Sequence, residues 1–402
     1  MVSTGTSAGA RPREADTNVR PTDRGPRIMS EKHVQTLTTK QATRSDYNPL
    51  TIKGVDHIEF IVDDADAWAD YHQHKLGMYR RAAGEVSTGL KGRKAVICGQ
   101  GRVNFLFAQP QDDGSPQYRE LRTHLEKHGN GVKDIAFRVR DVAAALSHAR
   151  SVGCRIVREL DDHGTFLGGT IAAYGDTVHT FIERHDYQQF APGYINAPGG
   201  IEDGDIQFMM IDHIVANVEH MDEWVEFYNR VFGFEETRHF DIKTGKSALM
   251  SKVVGPTEGY VRLPINEPSS SNSQIQEFLD EYRGPGVQHI ALLTPDIIET
   301  VRAMRDRGVE FLEVPETYYE LMPSRVGEIK ERMEDLKDLR ILVDRDRPDG
   351  YLLQLFSKPI FDRPTLFYEV IQRRGNSDGF GEGNFKALFE AIEREQEKRG
   401  TL

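Results

Sequence analysis

Short apolar runs rich in β-branched residues alternate with amphipathic segments along most of the chain, which indicates alternating strands and helices. Residues 55–62 and 211–215 form two such strand-like runs with closely similar sequences. Each is followed by a helical pattern that contains a tryptophan and stops at a glycine, Gly77 or Gly233. Glycine is the residue type that most often ends a helix. The chain therefore contains a repeated strand–helix unit.

A second unit is repeated in the same way. Residues 131–137 resemble residues 286–292, and both runs lead into a helical pattern that begins at an aspartate and ends at a glycine. Strand-like runs outnumber helical ones and the connections are short, which favours an α+β fold with mostly antiparallel sheets. The sequence predicts tandem βαβββ modules that form two open, barrel-like domains.

The repeat also predicts the domain boundaries. The chain has 402 residues, whereas one domain usually has about 100–200. We expect an N-terminal domain over residues 49–195 and a C-terminal domain over residues 206–402. Residues 1–48 are rich in Arg, Thr, Ser, Pro and Gly and are predicted to be a disordered tail, within which Met29 is an alternative start to Met1.

Composition excludes several classes of function. The net charge of −12 and the pI near 5.7 argue against a nucleic-acid partner, which requires a basic surface. The two cysteines, Cys98 and Cys154, form neither a metal motif nor a disulfide framework, so we expect a cytoplasmic protein. No apolar run approaches the roughly 18 residues that span a bilayer, so we expect no membrane partner.

Three strand-like runs in the second half each carry one residue that can bind a metal. These residues are His213, His289 and Glu369. Two imidazoles and one carboxylate occupy one face of an octahedral ion and leave the other positions open, as in non-haem Fe(II) oxygenases. Taken singly, each residue is more often a hydrogen-bonded polar group of the core. The same ligands would also hold Zn or Mn for hydrolysis or isomerisation, but the surrounding residues include no obvious general base.

The first half is chemically different at the corresponding positions. There the repeat aligns His57, Asp134 and Glu183 with the three candidate ligands. An aspartate in place of the central histidine weakens an iron site. We therefore expect the metal in the second domain and a structural role for the first.

Eight short runs in the second half carry a further signal, at residues 263–268, 273–278, 286–291, 341–344, 352–356, 362–365, 369–373 and 379–385. Together they resemble, in order, the motifs of the 4-hydroxyphenylpyruvate dioxygenase family within the vicinal oxygen chelate superfamily. The resemblance covers most of residues 208–402, whereas the first half resembles the family only in its repeat architecture.

The resemblance implies an enzyme that binds one Fe(II) per chain through His213, His289 and Glu369. Its substrates would be O2 and an aryl 2-oxo acid, 4-hydroxyphenylpyruvate, which chelates the iron through its carboxylate and keto oxygens. Decarboxylation, ring hydroxylation and side-chain migration would yield homogentisate and CO2, as in tyrosine catabolism. The resemblance also implies a homo-oligomer, either a dimer or a tetramer.

The resemblance further implies the residues of the pocket. The catalytic polar residues would be Ser251, Asn266, Gln288 and Gln354. The substrate-binding residues would be Pro264, Gln274, Phe356, Phe367, Phe380, Asn384 and Phe385. Strand alternation would turn Gln288 away from the face that carries the adjacent His289, which favours a supporting role for it. The terminal helix over residues 385–398 is predicted to act as a lid.

Rival functions differ in the pocket or in the metal site. A 4-hydroxymandelate synthase shares the iron ligands and the substrate, but it departs from the dioxygenases at the positions of Pro264, Asn266 and Phe367. This chain has the dioxygenase residue at all three. A dioxygenase for another 2-oxo acid is a further alternative. A non-catalytic binding protein of the same fold would be expected to have lost a ligand, and none is lost here.

Overall fold

A computed structural model describes residues 49–198, 204–243, 248–257 and 259–400. The predicted tail over residues 1–48 lies outside the described residues. The described residues belong to one compact unit. Among the residues that the structure describes, no helix is both long and apolar enough to span a bilayer.

The first half of the chain forms a nine-stranded mixed sheet with the strand order β6-β7-β8-β5-β1-β4-β3-β2-β9. Its elements are β1 (Gly54–Ile61), α1 (Ala65–Leu76), β2 (Tyr79–Gly84), a 3-10 turn (Val86–Thr88), β3 (Arg93–Gln100), β4 (Val103–Pro110), α2 (Pro116–His128), β5 (Gly131–Arg138), α3 (Val142–Ser151), β6 (Ile156–Asp162), β7 (Phe166–Ala172), β8 (Val178–Arg184) and β9 (Ile195–Asn196).

The second half forms an eight-stranded sheet with the order β11-β12-β13-β10-β14-β17-β16-β15. Its elements are β10 (Met210–Asn217), α4 (Met221–Phe232), β11 (Glu235–Lys243), β12 (Ala248–Gly255), β13 (Leu263–Pro268), α5 (Gln274–Tyr282), β14 (Gly286–Leu293), α6 (Ile297–Asp306), α7 (Thr317–Val326), α8 (Met333–Leu339), β15 (Leu342–Arg347), β16 (Gly350–Phe356), β17 (Phe367–Arg374), a 3-10 turn (Glu382–Asn384) and α9 (Phe385–Arg399).

The two sheets repeat one topology. In each, a central antiparallel pair, β1 with β5 or β10 with β14, is flanked on both sides by parallel partners. The predicted α+β fold of tandem βαβββ modules is therefore confirmed. The short strand β9 and the helices α7, α8 and α9 are additions to the repeat.

The repeated helices begin and end where local chemistry favours it. At the start of α1 the side chain of Asp64 accepts hydrogen bonds from two backbone N–H groups of the first turn, which otherwise lack partners. Gly77 and Gly233, which end α1 and α4, have positive φ angles of 67° and 68°. Only glycine adopts this left-handed conformation without steric cost, so the predicted helix stops are confirmed.

Two buried histidine–tyrosine hydrogen bonds link the two halves of the compact unit. Nε2 of His72 on α1 lies 2.6 Å from the hydroxyl of Tyr368 on β17, and Nε2 of His179 on β8 lies 2.7 Å from the hydroxyl of Tyr228 on α4. Burial lowers the pKa of His72 to about 4 and that of His179 to about 3. Both imidazoles are therefore neutral at physiological pH and accept the tyrosine protons.

These histidines predict how stability depends on pH. Between about pH 4 and 6.5 the unfolded chain binds protons that the folded protein does not, so stability falls as the pH is lowered. Each buried histidine should cost about 1 kcal/mol per pH unit in that window. The variant His179→Phe lacks one of these two histidines, so its free energy of unfolding should fall less steeply as the pH is lowered. Urea unfolding of the unaltered protein and the variant at pH 6.5, 5.5 and 4.5 measures this dependence. Equal slopes of unfolding free energy against pH would contradict the conclusion that His179 is buried in its neutral form.

Candidate metal centre

Three adjacent strands bring the predicted ligands together. His213 lies on β10, His289 on β14 and Glu369 on β17, and their ligand atoms lie within 4.8 Å of one another. Oε2 of Glu369 lies 3.0 Å from Nε2 of His213 and 3.6 Å from Nε2 of His289. All three side chains are buried. No other such group of histidine, cysteine, aspartate or glutamate occurs in the described part of the chain.

Two irregularities in the pairing of β10 with β14 shape this site. The register shifts on β10 between Ile211 and His213. It shifts again on β14 between Val287 and His289. Asp212 and Gln288 are thus extra residues that have no opposite partner. A bulge of this kind re-aims side chains beside a site, and here each extra residue contacts the imidazole that follows it.

The extra residues orient both imidazoles. Oδ1 of Asp212 accepts a hydrogen bond from Nδ1 of His213 at 2.8 Å, and Oε1 of Gln288 accepts one from Nδ1 of His289 at 3.0 Å. With Nδ1 donating, Nε2 is left as the ligand atom that faces Glu369. Gln288 also lines the cavity, so the expectation that alternation turns it away from the His289 face is wrong, because the bulge breaks the alternation.

A buried arginine holds the aspartate in place. Arg373 donates two hydrogen bonds of 2.7 Å to Asp212, and Arg262 approaches the same carboxylate at 3.3 Å. Burial alone would raise the pKa of Asp212, but the contacts with Arg373 and His213 bring it well below its ordinary value. Asp212 is therefore an anion that orients His213.

The ligand set carries a buried negative charge that suits a metal cation. Burial alone would raise the pKa of Glu369, but the neighbouring His213 and His289 lower it below the ordinary value. Oε1 of Glu369 is buried and has no hydrogen-bond partner among the described residues. A buried carboxylate oxygen without a partner is costly. The residues present therefore fit a divalent metal ion.

The ligands open into a cavity with an empty volume of roughly 590 Å³, including its mouth. Most of the predicted pocket residues line it, namely Ser251, Pro264, Asn266, Gln274, Gln288, Phe356, Phe367, Phe380 and Phe385. Two of the aromatic rings contact the ligands: Phe367 stacks on His289 at 4.8 Å between centroids, and Phe380 meets His213 edge-on at 5.2 Å. Apart from the three candidate ligands, the cavity wall is thus largely apolar, with six phenylalanines and no charged side chain.

Two predicted pocket residues, Gln354 and Asn384, are not among the lining residues of the cavity. The amide of Gln354 is buried against Gly381, where a Cβ atom would collide with it. Oδ1 of Asn384 accepts hydrogen bonds from the Tyr318 hydroxyl at 2.7 Å and from Arg325 at 3.0 Å. Asn384 therefore anchors the turn that precedes α9.

Sequence reasoning missed an apolar part of the wall. It consists of Val215, Phe240, Ile242, Leu249, Val253, Leu388, Phe389 and Ile392. The last three share one face of α9 with Phe385, and their spacing of three, four and seven residues is a helical signal that the sequence contains. The helix closes one side of the cavity, as expected of the predicted lid.

The first sheet contains a counterpart of this site that keeps only one of the three candidate ligands, a histidine. Arg184 donates hydrogen bonds of 2.7 and 2.6 Å to Asp56, and Asp56 accepts one from His57 at 3.0 Å. This repeats the contacts of Arg373, Asp212 and His213. The residue four positions before Arg184 is Thr180, and the residue four positions before Arg373 is Glu369. Thr180 is therefore the structural counterpart of Glu369.

The alignment of Glu183 with Glu369 is consequently wrong. Glu183 accepts a hydrogen bond from the backbone N–H of Val142, as Gln372 does from that of Ile297. Glu183 lies three residues after Thr180, the position that corresponds to the ligand. The short apolar runs of the sequence did not fix the alignment of the two halves to within three residues. Thr180 instead donates to Asp134, whose pKa burial raises to about 6.

Comparison with known proteins agrees with this architecture. The family model of the Glyoxalase/Bleomycin resistance protein/Dioxygenase superfamily matches residues 54–183 and 210–355, one segment in each sheet. A 4-hydroxyphenylpyruvate dioxygenase of Yarrowia lipolytica is 42% identical over 371 residues, which cover 87% of this chain and 94% of that protein. The enzyme of the same name from Caenorhabditis briggsae is 42% identical over 88% of this chain and 94% of its own length.

The chain belongs to the 4-hydroxyphenylpyruvate dioxygenase family. Membership confirms the family and the enzyme class predicted from the sequence. Among solved structures, a triple mutant of 4-hydroxymandelate synthase from Streptomyces coelicolor is similar with a TM-score of 0.76 and 30% identity, covering 85% of this chain and 98% of that one. The alternative family, 4-hydroxymandelate synthase, is thus represented by a structural neighbour with lower identity than the dioxygenases.

Two glutamates, the candidate ligand Glu369 and Glu183 in the first half, provide a matched test of the metal centre. Glu369→Gln keeps the shape of the ligand but removes its charge, so we expect divalent metal affinity to fall at least about a hundredfold, more than the loss of a supporting partner costs. Glu183→Gln should leave metal affinity unchanged. Anaerobic titration with Co(II), followed by its visible absorption, measures both. Equal affinities in the two variants would contradict the site.

Proposed function

We propose that this protein converts 4-hydroxyphenylpyruvate and O2 to homogentisate and CO2. The observation that carries the proposal is a buried site with two histidines and one glutamate that opens into an apolar, phenylalanine-rich cavity without further charged side chains. The curated relatives that cover most of the chain bear the corresponding enzyme name. The product follows from the residues that separate the dioxygenases from the mandelate-forming enzymes.

We infer that the metal is Fe(II), held by His213, His289 and Glu369. Bound Fe(II) would supply open coordination positions for a bidentate 2-oxo acid and for dioxygen. Three protein ligands suit this chemistry, because a fourth or fifth would occupy positions that the substrates need. Asp212 and Gln288 keep the Nδ1 protons of the imidazoles away from the metal side.

The cavity wall suits an aromatic 2-oxo acid. Ser251, Asn266 and Gln274 offer neutral hydrogen-bonding groups, which can bind a phenol or a carboxylate without adding a charge that competes for the metal. The aromatic rings of Phe356, Phe367 and Phe380 can stack on the substrate ring and exclude water from the reacting atoms. With α9 across one side, these residues would hold the substrate ring and shield the reaction.

The formation of 4-hydroxymandelate is the second candidate function. It needs the same ligands and the same substrate, and it differs in where the oxygen is inserted. The proposed discriminating residues, Pro264, Asn266 and Phe367, all line the cavity beside the ligands. Their identities in this chain support ring hydroxylation, so homogentisate is the proposed product.

Two further proposals concern the oligomeric state and the cellular location of the enzyme. We infer that it acts as a homo-oligomer, a dimer or a tetramer, as the family resemblance implies. We also infer a cytoplasmic location. In the structure, Cys98 is buried, Cys154 is partly buried and both are free thiols, which agrees with a reducing compartment.

A product assay tests the proposed reaction. After anaerobic loading with Fe(II), addition of 4-hydroxyphenylpyruvate and oxygen should give oxygen uptake and homogentisate, identified by mass and chromatography. His213→Ala should abolish turnover because it removes a ligand. The matched control is His57→Ala, which changes the counterpart histidine in the first sheet and should retain turnover. Formation of 4-hydroxymandelate, or no oxygen uptake with any aryl 2-oxo acid, would overturn the proposal.

Two asparagines that the sequence assigns to the pocket have different surroundings in the structure. Asn266 lines the cavity, whereas Asn384 is bound to Tyr318 and Arg325. Asn266→Ala should therefore lower kcat/KM by roughly tenfold or more, as the loss of one productive hydrogen bond does. Asn384→Ala should act mainly on stability, measured by thermal unfolding. A larger change in kcat/KM for Asn384→Ala than for Asn266→Ala would contradict this distinction.

A further inference from the structure

We propose that His72, in the first half of the chain, is a positioning residue for the metal centre in the second half. It acts through Tyr368, the residue that directly precedes the ligand Glu369 on β17. The inference rests on the proposed metal site, and it assigns the first sheet a role in forming that site.

Tyr368 is fixed from three directions. Its hydroxyl lies 2.6 Å from Nε2 of His72, and its ring stacks parallel to that of Phe105 at 5.8 Å between centroids. Its backbone N–H donates to Oγ of Ser357 at 2.9 Å, and its carbonyl accepts from the Ser357 N–H at 2.8 Å. Both His72 and Phe105 belong to the first half of the chain, so that half packs on the face of β17 that points away from the cavity.

The hydrogen bond between His72 and Tyr368 has a defined direction. Nδ1 of His72 lies 2.7 Å from the carbonyl oxygen of Trp68, one turn earlier on α1, and can only donate to it. Because the buried imidazole is neutral, its Nε2 carries no proton and accepts the proton of the Tyr368 hydroxyl. Replacing His72 with a residue that cannot accept would leave that hydroxyl buried without a partner.

Glu369 depends on this anchoring more than the other ligands do. The imidazoles of His213 and His289 each have a polar partner at Nδ1, namely Asp212 and Gln288. The carboxylate of Glu369 contacts the two imidazoles through Oε2, and its Oε1 has no hydrogen-bond partner among the described residues. Its position therefore follows from the backbone of β17, which Tyr368 holds from the opposite face.

The repeat provides a matched control, a second buried histidine–tyrosine pair. His179 and Tyr228 form an equally buried pair with a distance of 2.7 Å. His72 and Tyr228 each lie five residues before the glycine that ends their helix, and His179 and Tyr368 each lie five residues before the arginine that binds the aspartate. The two pairs are thus equivalent with histidine and tyrosine exchanged. The residue after His179 is Thr180, which is not a metal ligand.

The experiment compares His72→Phe with His179→Phe in the full-length protein. Each variant removes one buried acceptor, so both should lower the urea midpoint of unfolding. Only His72→Phe should weaken metal binding, by up to about tenfold, the lower end of what losing a ligand's supporting partner costs. Anaerobic titration with Co(II) at neutral pH, under conditions in which each variant is folded, measures the affinity. A purely structural role would weaken folding in both variants and metal binding in neither.

A second pair of variants makes the test independent of folding losses. Tyr368→Phe removes only the hydroxyl and keeps the ring on Phe105, and Tyr228→Phe is its control. We expect weaker Co(II) binding for Tyr368→Phe alone. Equal affinities across the two tyrosine variants, or across the two histidine variants, would overturn the inference while leaving the metal site intact. Absence of Co(II) binding by the unaltered protein would instead overturn the proposed function, and this inference with it.

Discussion

The structure depends on one costly feature, a carboxylate buried between two imidazoles in an apolar interior. An ionised Glu369 cannot remain there without compensation, because burial of an unpaired charge costs several kcal/mol. Asp212 and Gln288 fix both imidazoles with their Nε2 lone pairs towards Oε2 of the carboxylate, so three electron-pair donors face one another. Oε1 of Glu369 still lacks a partner among the described residues. A metal cation satisfies this requirement, and the fold positions the ligands to receive one.

The duplicated fold separates scaffold from chemistry. Both sheets have the central antiparallel pair, the bulges and the buried arginine–aspartate–histidine contacts. Only the second sheet has a histidine and a glutamate where the first has Asp134 and Thr180. Those two residues hydrogen-bond each other and leave no carboxylate facing an imidazole pair. The shared contacts therefore stabilise the module itself, and two further side chains convert one copy into a metal site.

The first module still contributes to the second. One buried apolar cluster runs through both sheets, and two histidine–tyrosine hydrogen bonds each join a helix of one half to a strand of the other. On its other side, the cavity beside the candidate ligands is closed by α9 through aromatic and aliphatic side chains on one helix face. The candidate metal centre thus lies between a buried shared core and a terminal helix, which suits a reaction that must exclude water and still admit substrate.

The sequence alone determined the repeat, the helix stops at Gly77 and Gly233, the three candidate metal ligands and most of the residues that line the cavity beside them. These features depend on residue type and local spacing, which are visible along the chain. The tertiary structure decided that Gln288 faces the cavity, that Thr180 rather than Glu183 matches the ligand position, and that Asn384 anchors a turn. It also brought His72 to Tyr368, 296 positions apart. Bulges, strand register and contacts between distant segments are set by pairing partners, and periodicity along one strand does not encode them.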